Sequence, residues 1–232
     1  WKAPAAAARG EKAVAPVADA TAPRVVLVDK PGAIQSVIRV GQIMPAGNDP
    51  RQFEIGAMND VLGGNFTARL NMNLREDKGW TYGASSYVAE ARGPQVFGVA
   101  TSVQTDKTSE ALGEIDKELH AIRKDKPATQ AELDLLSKGE VLALPGRFET
   151  NNAMVGYLQY VNRFGRSYDW ITTLPAQYAA LKPETITGSA QLLHPDAMTW
   201  VIVGDLSKIE ARVRALNLGT VEVWDAEGRK LR

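Results

Sequence analysis

The spacing of apolar side chains along this chain changes repeatedly, and each change marks an element. Val25-Val-Leu-Val28 is an unbroken apolar run closed by Pro31-Gly32, which predicts a buried strand. Gln35-Ser-Val-Ile-Arg-Val-Gly-Gln-Ile43 predicts a second strand, and the two read as antiparallel neighbours. From Asp49 the period lengthens: Phe53, Met58, Val61 and Leu62 fall on one side of a helix, and Gly63-Gly64 predicts its end. Asn65 suits the cap of the next helix, where Phe66, Leu70 and Leu74 recur every four residues. Beyond Gly79, Thr81 to Ala91 is strand-like. Arg92-Gly93-Pro94 turns the chain, and Phe97, Val99, Thr101 and Val103 alternate along a return strand, giving a long hairpin.

The rest is mostly helical. Leu112, Ile115, Leu119 and Ile122 form an apolar stripe, and Thr129 with Glu132 is a capping-box pair after Pro127. Pro145-Gly146 interrupts that helix, which resumes from Arg147 to Phe164; shorter helices follow at 171–181 and 183–193. Thr199 to Val203 predicts a strand, then a helix to about Leu216 and a terminal strand at Val221-Glu-Val223. No internal repeat interrupts this order. Strands, helices, hairpin, helices, strand, helix, strand predicts an α+β fold: an antiparallel sheet with helices packed on one face. Residues 24–232 read as a single domain. Residues 1–23, with ten alanines and three prolines, read as a linker, and the abrupt Trp1-Lys-Ala-Pro start suggests the middle or processed remainder of a longer polypeptide.

Composition narrows the function classes. Twenty-seven basic and 27 acidic side chains cancel, which removes the electrostatic argument for nucleic acid or an anionic membrane as partner. No apolar run approaches the ~20 residues of a membrane span, so a soluble chain is expected, suited equally to bacterial cytoplasm or periplasm. The chain has no cysteine, hence no disulfide and no thiolate metal site.

Complete catalytic constellations are missing. No phosphate loop, dinucleotide fingerprint or Gly-x-Ser-x-Gly elbow is present. The two histidines, His120 and His194, lack neighbours that would make a zinc site. His120 lies off the apolar stripe and reads as a solvated helix residue; His194 reads as a helix-end residue answering the dipole. Glu114, Asp116 and Glu118, with Lys117 among them, read as a solvated face. No metal is expected on this chain.

One stretch stands apart: Leu62-Gly-Gly-Asn-Phe-Thr-Ala-Arg-Leu-Asn-Met-Asn-Leu-Arg-Glu-Asp-Lys-Gly-Trp-Thr-Tyr82. It sets Arg75 at the end of a helix and Tyr82 at the start of a strand, with Gly79 as the corner between. A guanidinium fork and a phenol placed together suit the grip of a peptide backbone or a developing negative charge. The bland alternative is an arginine that answers the helix dipole or pairs with Glu76, and a core tyrosine.

The run resembles the second-type, C-terminal domain of the pitrilysin family of inverted zinc metallopeptidases, which includes insulin-degrading enzyme and mitochondrial processing peptidase. Leu-Arg-Glu-Asp-Lys-Gly-x-x-Tyr carries the match in residue type and spacing, and the resemblance extends over most of the chain from Arg24. It implies a two-halved chamber in which Arg75 and Tyr82 bind substrate, holding its carbonyl groups near the scissile bond. It also implies that His-x-x-Glu-His and its zinc belong to a complementary domain, upstream or on a partner subunit, in a homo- or hetero-dimer. The chain alone would then be inactive toward peptides. The alternative is a non-catalytic scaffold or assembly subunit with the same fold.

Overall fold

The computed structural model describes residues 17–232. Most of the expected 1–23 linker therefore lies outside the described residues. Six strands form one sheet in the order β3-β4-β2-β5-β1-β6: β1 Arg24–Asp29, β2 Gln35–Ala46, β3 Thr81–Ala89, β4 Pro94–Gln104, β5 Thr199–Gly204 and β6 Thr220–Trp224. The α+β class holds, and the β3–β4 hairpin forms as the alternation requires. The first two strands are not neighbours, however. β5 lies between them, parallel to β1 and antiparallel to β2, and β1 also runs parallel to β6, so the sheet is mixed. The reason is distance along the chain: both partners of β1 come from the last forty residues, where no local pattern announces the pairing.

One parity of strand residues makes the core. Leu27, Ile38, Ile202 and Val99 are all fully buried, with Trp200 and Phe97 the largest buried side chains. At roughly 1.5–3 kcal/mol for each large apolar side chain removed from water, this layer dominates the stability. Helices α1 (Gln52–Asn59), α2 (Arg69–Asn71), α3 (Thr108–Ala121), α4 (Gln130–Ala143), α7 (Pro183–Ala190) and α8 (Leu206–Ala215) bring Ile55, Leu70, Leu112, Leu133, Ile186 and Ile209 into the same cluster. The predicted stripe Leu112, Ile115, Leu119 and Ile122 is buried throughout. The capping box forms as read: Thr129 Oγ1 accepts from Glu132 N, and the Glu132 carboxylate accepts from Thr129 N. Helix α5 (Asn151–Phe164) starts four residues later than expected, at the Thr150 cap, after a 3₁₀ turn over Pro145–Phe148; α6 is Leu174–Ala179.

The opposite parity faces away from the core. Arg39, Gly41, Tyr87 and Val96 stand on that face, where the Tyr87 ring lies across Gly98 so closely that a Cβ there would meet the phenol oxygen at 2.6 Å. Ala18 to Ala20 border an apolar hollow of about 410 Å³ on the same side.

Two glycines have a different task from the one the pattern suggested. Gly63 and Gly64 do not end a helix in a left-handed conformation; neither has a positive φ. The helix widens into a π-helical turn over Asp60–Gly64, and Gly63 lies so close to β3 that a Cβ would sit 2.5 Å from the Ser86 amide nitrogen. A Cβ on Gly64 would likewise collide with the Asp60 carboxylate. These are close-approach glycines.

Gly63→Ala should therefore destabilise the protein by about 1–3 kcal/mol, because the obstacle is strand backbone that cannot step aside. Gly113→Ala, in open space within α3, should stabilise by about 0.5–1 kcal/mol. Urea denaturation of the two variants reads the contrast; equal effects would show that backbone proximity at position 63 is not what selects glycine.

Candidate functional site

The expected pair lies on and just beyond the second of two π-helical turns, Asp60–Gly64 and Met72–Asp77. Asn65 does not cap the helix that follows. Its Oδ1 accepts from Thr67 N at 3.0 Å, which closes a local turn, and the helix begins only at Arg69. Phe66 consequently lies outside the helix and is 59% exposed rather than part of the stripe. After α2 the chain widens again into a π-helical turn over Met72–Asp77, a geometry that recurs at functional sites. Gly79, at φ +64°, ends it: Gly79 N donates to Arg75 O and Trp80 N to Leu74 O.

Arg75 stands on this second wide turn. Its guanidinium lies 4.6 Å from the centre of the Phe66 ring, and Nε is 3.4 Å from Glu76 Oε1, an exposed pair worth little. Stacking on Phe66 orients the fork without consuming its hydrogen bonds.

Tyr82 sits at a break in the β3–β4 ladder. Thr81 pairs with Val103 and Ala84 with Thr101, so β3 carries an extra residue there. Bulges redirect side chains, and this one leaves Tyr82 91% exposed. Its geometry is fixed by hydroxyl chemistry: Thr81 Oγ1 donates to Gly83 O at 2.9 Å, and Thr101 Oγ1 reaches Thr81 Oγ1 and Gly83 O, each at 3.0 Å. Among the described residues, the Tyr82 hydroxyl has no hydrogen-bond partner.

Tyr82 borders an open hollow of about 290 Å³ with Arg39, Gln35 and Ser102; Arg75 is not among its lining residues. The structure thus pairs Arg75 with Phe66 and Tyr82 with Arg39, and leaves both expected side chains open to solvent.

Residues that the sequence left unremarked hold the segment in place. Arg69, almost wholly buried, makes a two-pronged bond to Glu132 at 2.7 and 2.8 Å and a further one to Pro127 O. Glu132 is itself partly exposed, so solvent screens the pair on that side while Arg69 depends on it for its carboxylate partner. Asn71 donates to Phe66 O at 2.7 Å and accepts from Ala84 N at 3.2 Å, joining the loop to β3 beside the bulge. Asn73 donates to Glu114 and Glu118, each at 2.9 Å, and accepts from Lys78 Nζ. Glu114 and Glu118 are therefore not a solvated face; Glu118 is buried and Glu114 is held low by the Asn73 hydrogen bond and Lys78. Two asparagines inside a helix were the available signal, since asparagine is unfavourable there without a partner.

The histidines also differ from their reading. His120 is half-buried, with Nδ1 2.9 Å from Asp116 O and Nε2 3.3 Å from Asp196 Oδ1. Burial pulls its pKa down, but the Asp116 and Asp196 contacts outweigh that and raise it. His194 follows α7 by four residues; its backbone N–H donates to Gln42 Oε1 at 2.7 Å, so it is not in a helix's last turn. Among the described residues, no three His, Asp or Glu side chains are placed to ligate a metal ion. The donor set does not fit zinc.

The sequence profile described as the peptidase M16 inactive domain matches residues 1–139. Among solved structures, a peptidase M16 inactive domain from Pseudomonas fluorescens superposes with TM-score 0.73 at 22% identity, covering 81% of this chain and 44% of that one. A protease from Helicobacter pylori gives TM-score 0.71 at 22% identity over 84% and 48%. The periplasmic protease PqqL from Escherichia coli gives 0.63 at 14% over 79% and 21%. At these identities the likeness concerns the fold, and the chain spans less than half the length of each. No curated protein matches the sequence.

The Asp60 carboxyl, at the head of the first wide turn, is raised to about 6 by burial and by Glu140, against Arg147 and an Asn59 hydrogen bond. A carboxyl raised in the folded state keeps its proton longer there than in the unfolded chain, so stability falls as pH climbs from about 4 to about 6. Asp60→Asn should flatten thermal stability across that window and raise it at neutral pH, by roughly 1.4 kcal/mol per pKa unit relieved. A retained slope would assign the dependence to another group.

Proposed function

The chain belongs to the peptidase M16 (pitrilysin) family as an inactive domain of the C-terminal type, and from that premise we propose that it is the substrate-holding half of a zinc metalloendopeptidase. Arg75 and Tyr82 then bind the peptide backbone near the scissile bond, and Tyr82 donates to the tetrahedral oxyanion. The metal and the general base come from a complementary domain or subunit carrying the inverted zinc motif.

The observation that carries this reading is Tyr82: a phenol 91% exposed, on a bulge secured by three hydroxyl hydrogen bonds. Exposing a large aromatic ring on a rigid mount, its hydroxyl unpaired, makes little sense for a core tyrosine. It makes sense for a donor aimed at a ligand outside the chain. Arg75 supplies the complementary fork, held by its stack on Phe66. No histidine or carboxylate is among the residues that line the hollow beside Tyr82. The division of labour follows: this domain positions and stabilises, and another cuts.

A scaffold role has one observation in its favour. Leu135 and Leu142 on α4 and Met154, Val155 and Leu158 on α5 are exposed, between 44% and 70%, as a surface for subunit contact would be.

Tyr82→Phe and Arg75→Ala, introduced into the complete peptidase with its zinc-bearing partner, should each lower kcat/KM by about 10²–10³ while assembly and melting temperature stay unchanged. Full activity in both variants would exclude the substrate role and leave the assembly role.

A further inference from the structure

A second cation stands beside Tyr82, and backbone positioning does not account for it. Arg39 projects from the face of β2 that bears no helices. Its neighbours across the ladders are Ala100 and Val201, small enough to leave the space above them open. Nη1 donates to Ile38 O at 2.9 Å and to Thr101 O at 3.4 Å, which tethers the guanidinium while leaving its remaining donors unspent. Among the described residues, no carboxylate lies within ion-pair distance of it. Asp19, which shares a neighbouring hollow with Arg39, is not paired to it.

We propose that Arg39, in the hollow that Tyr82 borders, forms a carboxylate-binding subsite that selects peptides presenting an acidic side chain or a free C-terminal carboxylate at this place. The proposal rests on the peptide-binding reading above and adds to it a class of substrate.

Three features point to an anion. Apart from Ala100, every side chain lining the hollow is a cation, a hydroxyl or an amide: Arg39, Tyr82, Gln35, Ser102 and the two threonines of the bulge network. No acid is among its lining residues; Asp19 borders the neighbouring hollow instead. The volume, about 290 Å³, suits one side chain or chain end rather than a folded partner. Finally, the fork is tethered in advance by the two carbonyls, so little rotamer freedom is lost when a carboxylate arrives. An arginine serving only to cap strand carbonyls would account for Nη1 but not for Nε and Nη2, which have no partner among the described residues.

The test uses one peptide sequence made four ways: Glu or Gln at the residue nearest the subsite, each as a free acid and as a C-terminal amide. Turnover is measured with the complete peptidase, and binding by calorimetry with the full chain, so that the ranking is read even where turnover is absent. The wild type should prefer one charged form, and Arg39→Gln should abolish that preference, a relative loss of about 10–100-fold, with the neutral peptide unaffected. Arg39→Lys should recover only part of it, because a point charge lacks the fork. A preference lost on Glu to Gln exchange identifies a side-chain carboxylate; one lost on amidation identifies the chain end. No charge preference in the wild type, or equal loss for all four peptides in Arg39→Gln, overturns the proposal. Failure of the parent reading looks different: Tyr82→Phe and Arg75→Ala would then be silent on every peptide, whatever Arg39→Gln does.

Discussion

The sheet buries one face, and the rest of the structure is arranged around that inequality. Leu27, Ile38, Val99 and Ile202 turn toward the helices and lose all contact with water, while Arg39 and Tyr87 on the adjacent parity remain in it. A period-two strand cannot vary this residue by residue; once the core parity is chosen, the other is assigned everywhere. The exception is the bulge at Thr81 to Ala84, where one extra residue redirects the ladder and releases Tyr82 from it. The candidate site thus lies where the sheet's own rule is suspended.

Precision at that place comes from polar contacts rather than from the apolar core. Asn71 and Asn73 lie on the face of the helical turn that meets β3 and α3, and each satisfies both ends of its amide. Arg69 ties the same turn to the capped end of α4 through Glu132, so one carboxylate serves both a helix terminus and a buried guanidinium. A network of this kind costs desolvation and returns geometry. Its members lie on the turns that carry Arg75 and are tied to the strand that carries Tyr82, as support for a binding surface should be.

The family profile is that of an inactive domain, and the proposed role of holding a peptide draws on what the surface offers. Its surface carries donors in quantity: the Arg75 fork, the Tyr82 phenol and the Arg39 guanidinium beside it. It carries no cluster able to bind a metal among the described residues. Donors that stabilise negative charge need rigidity more than they need tuned pKa values, and the tethering of Arg39 to strand carbonyls and of Arg75 to Phe66 meets that need.

The sequence alone determined the elements whose pattern is local. The strand at Arg24, the hairpin, the Leu112 to Ile122 stripe, the Thr129–Glu132 capping box and the corner at Gly79 all formed where spacing and cap chemistry placed them. Arg75 and Tyr82 could be singled out because their motif is contiguous, and their role in holding substrate is a proposal. What depends on approach between distant segments was decided only in three dimensions: β5 entering between β1 and β2, Gly63 chosen for its distance to Ser86, Glu114 and Glu118 drawn inward by Asn73, and Arg39 brought beside Tyr82 from the far side of β4. Periodicity records which face a residue takes, but not which neighbour it meets there, since that neighbour is set by packing across many residues of intervening chain.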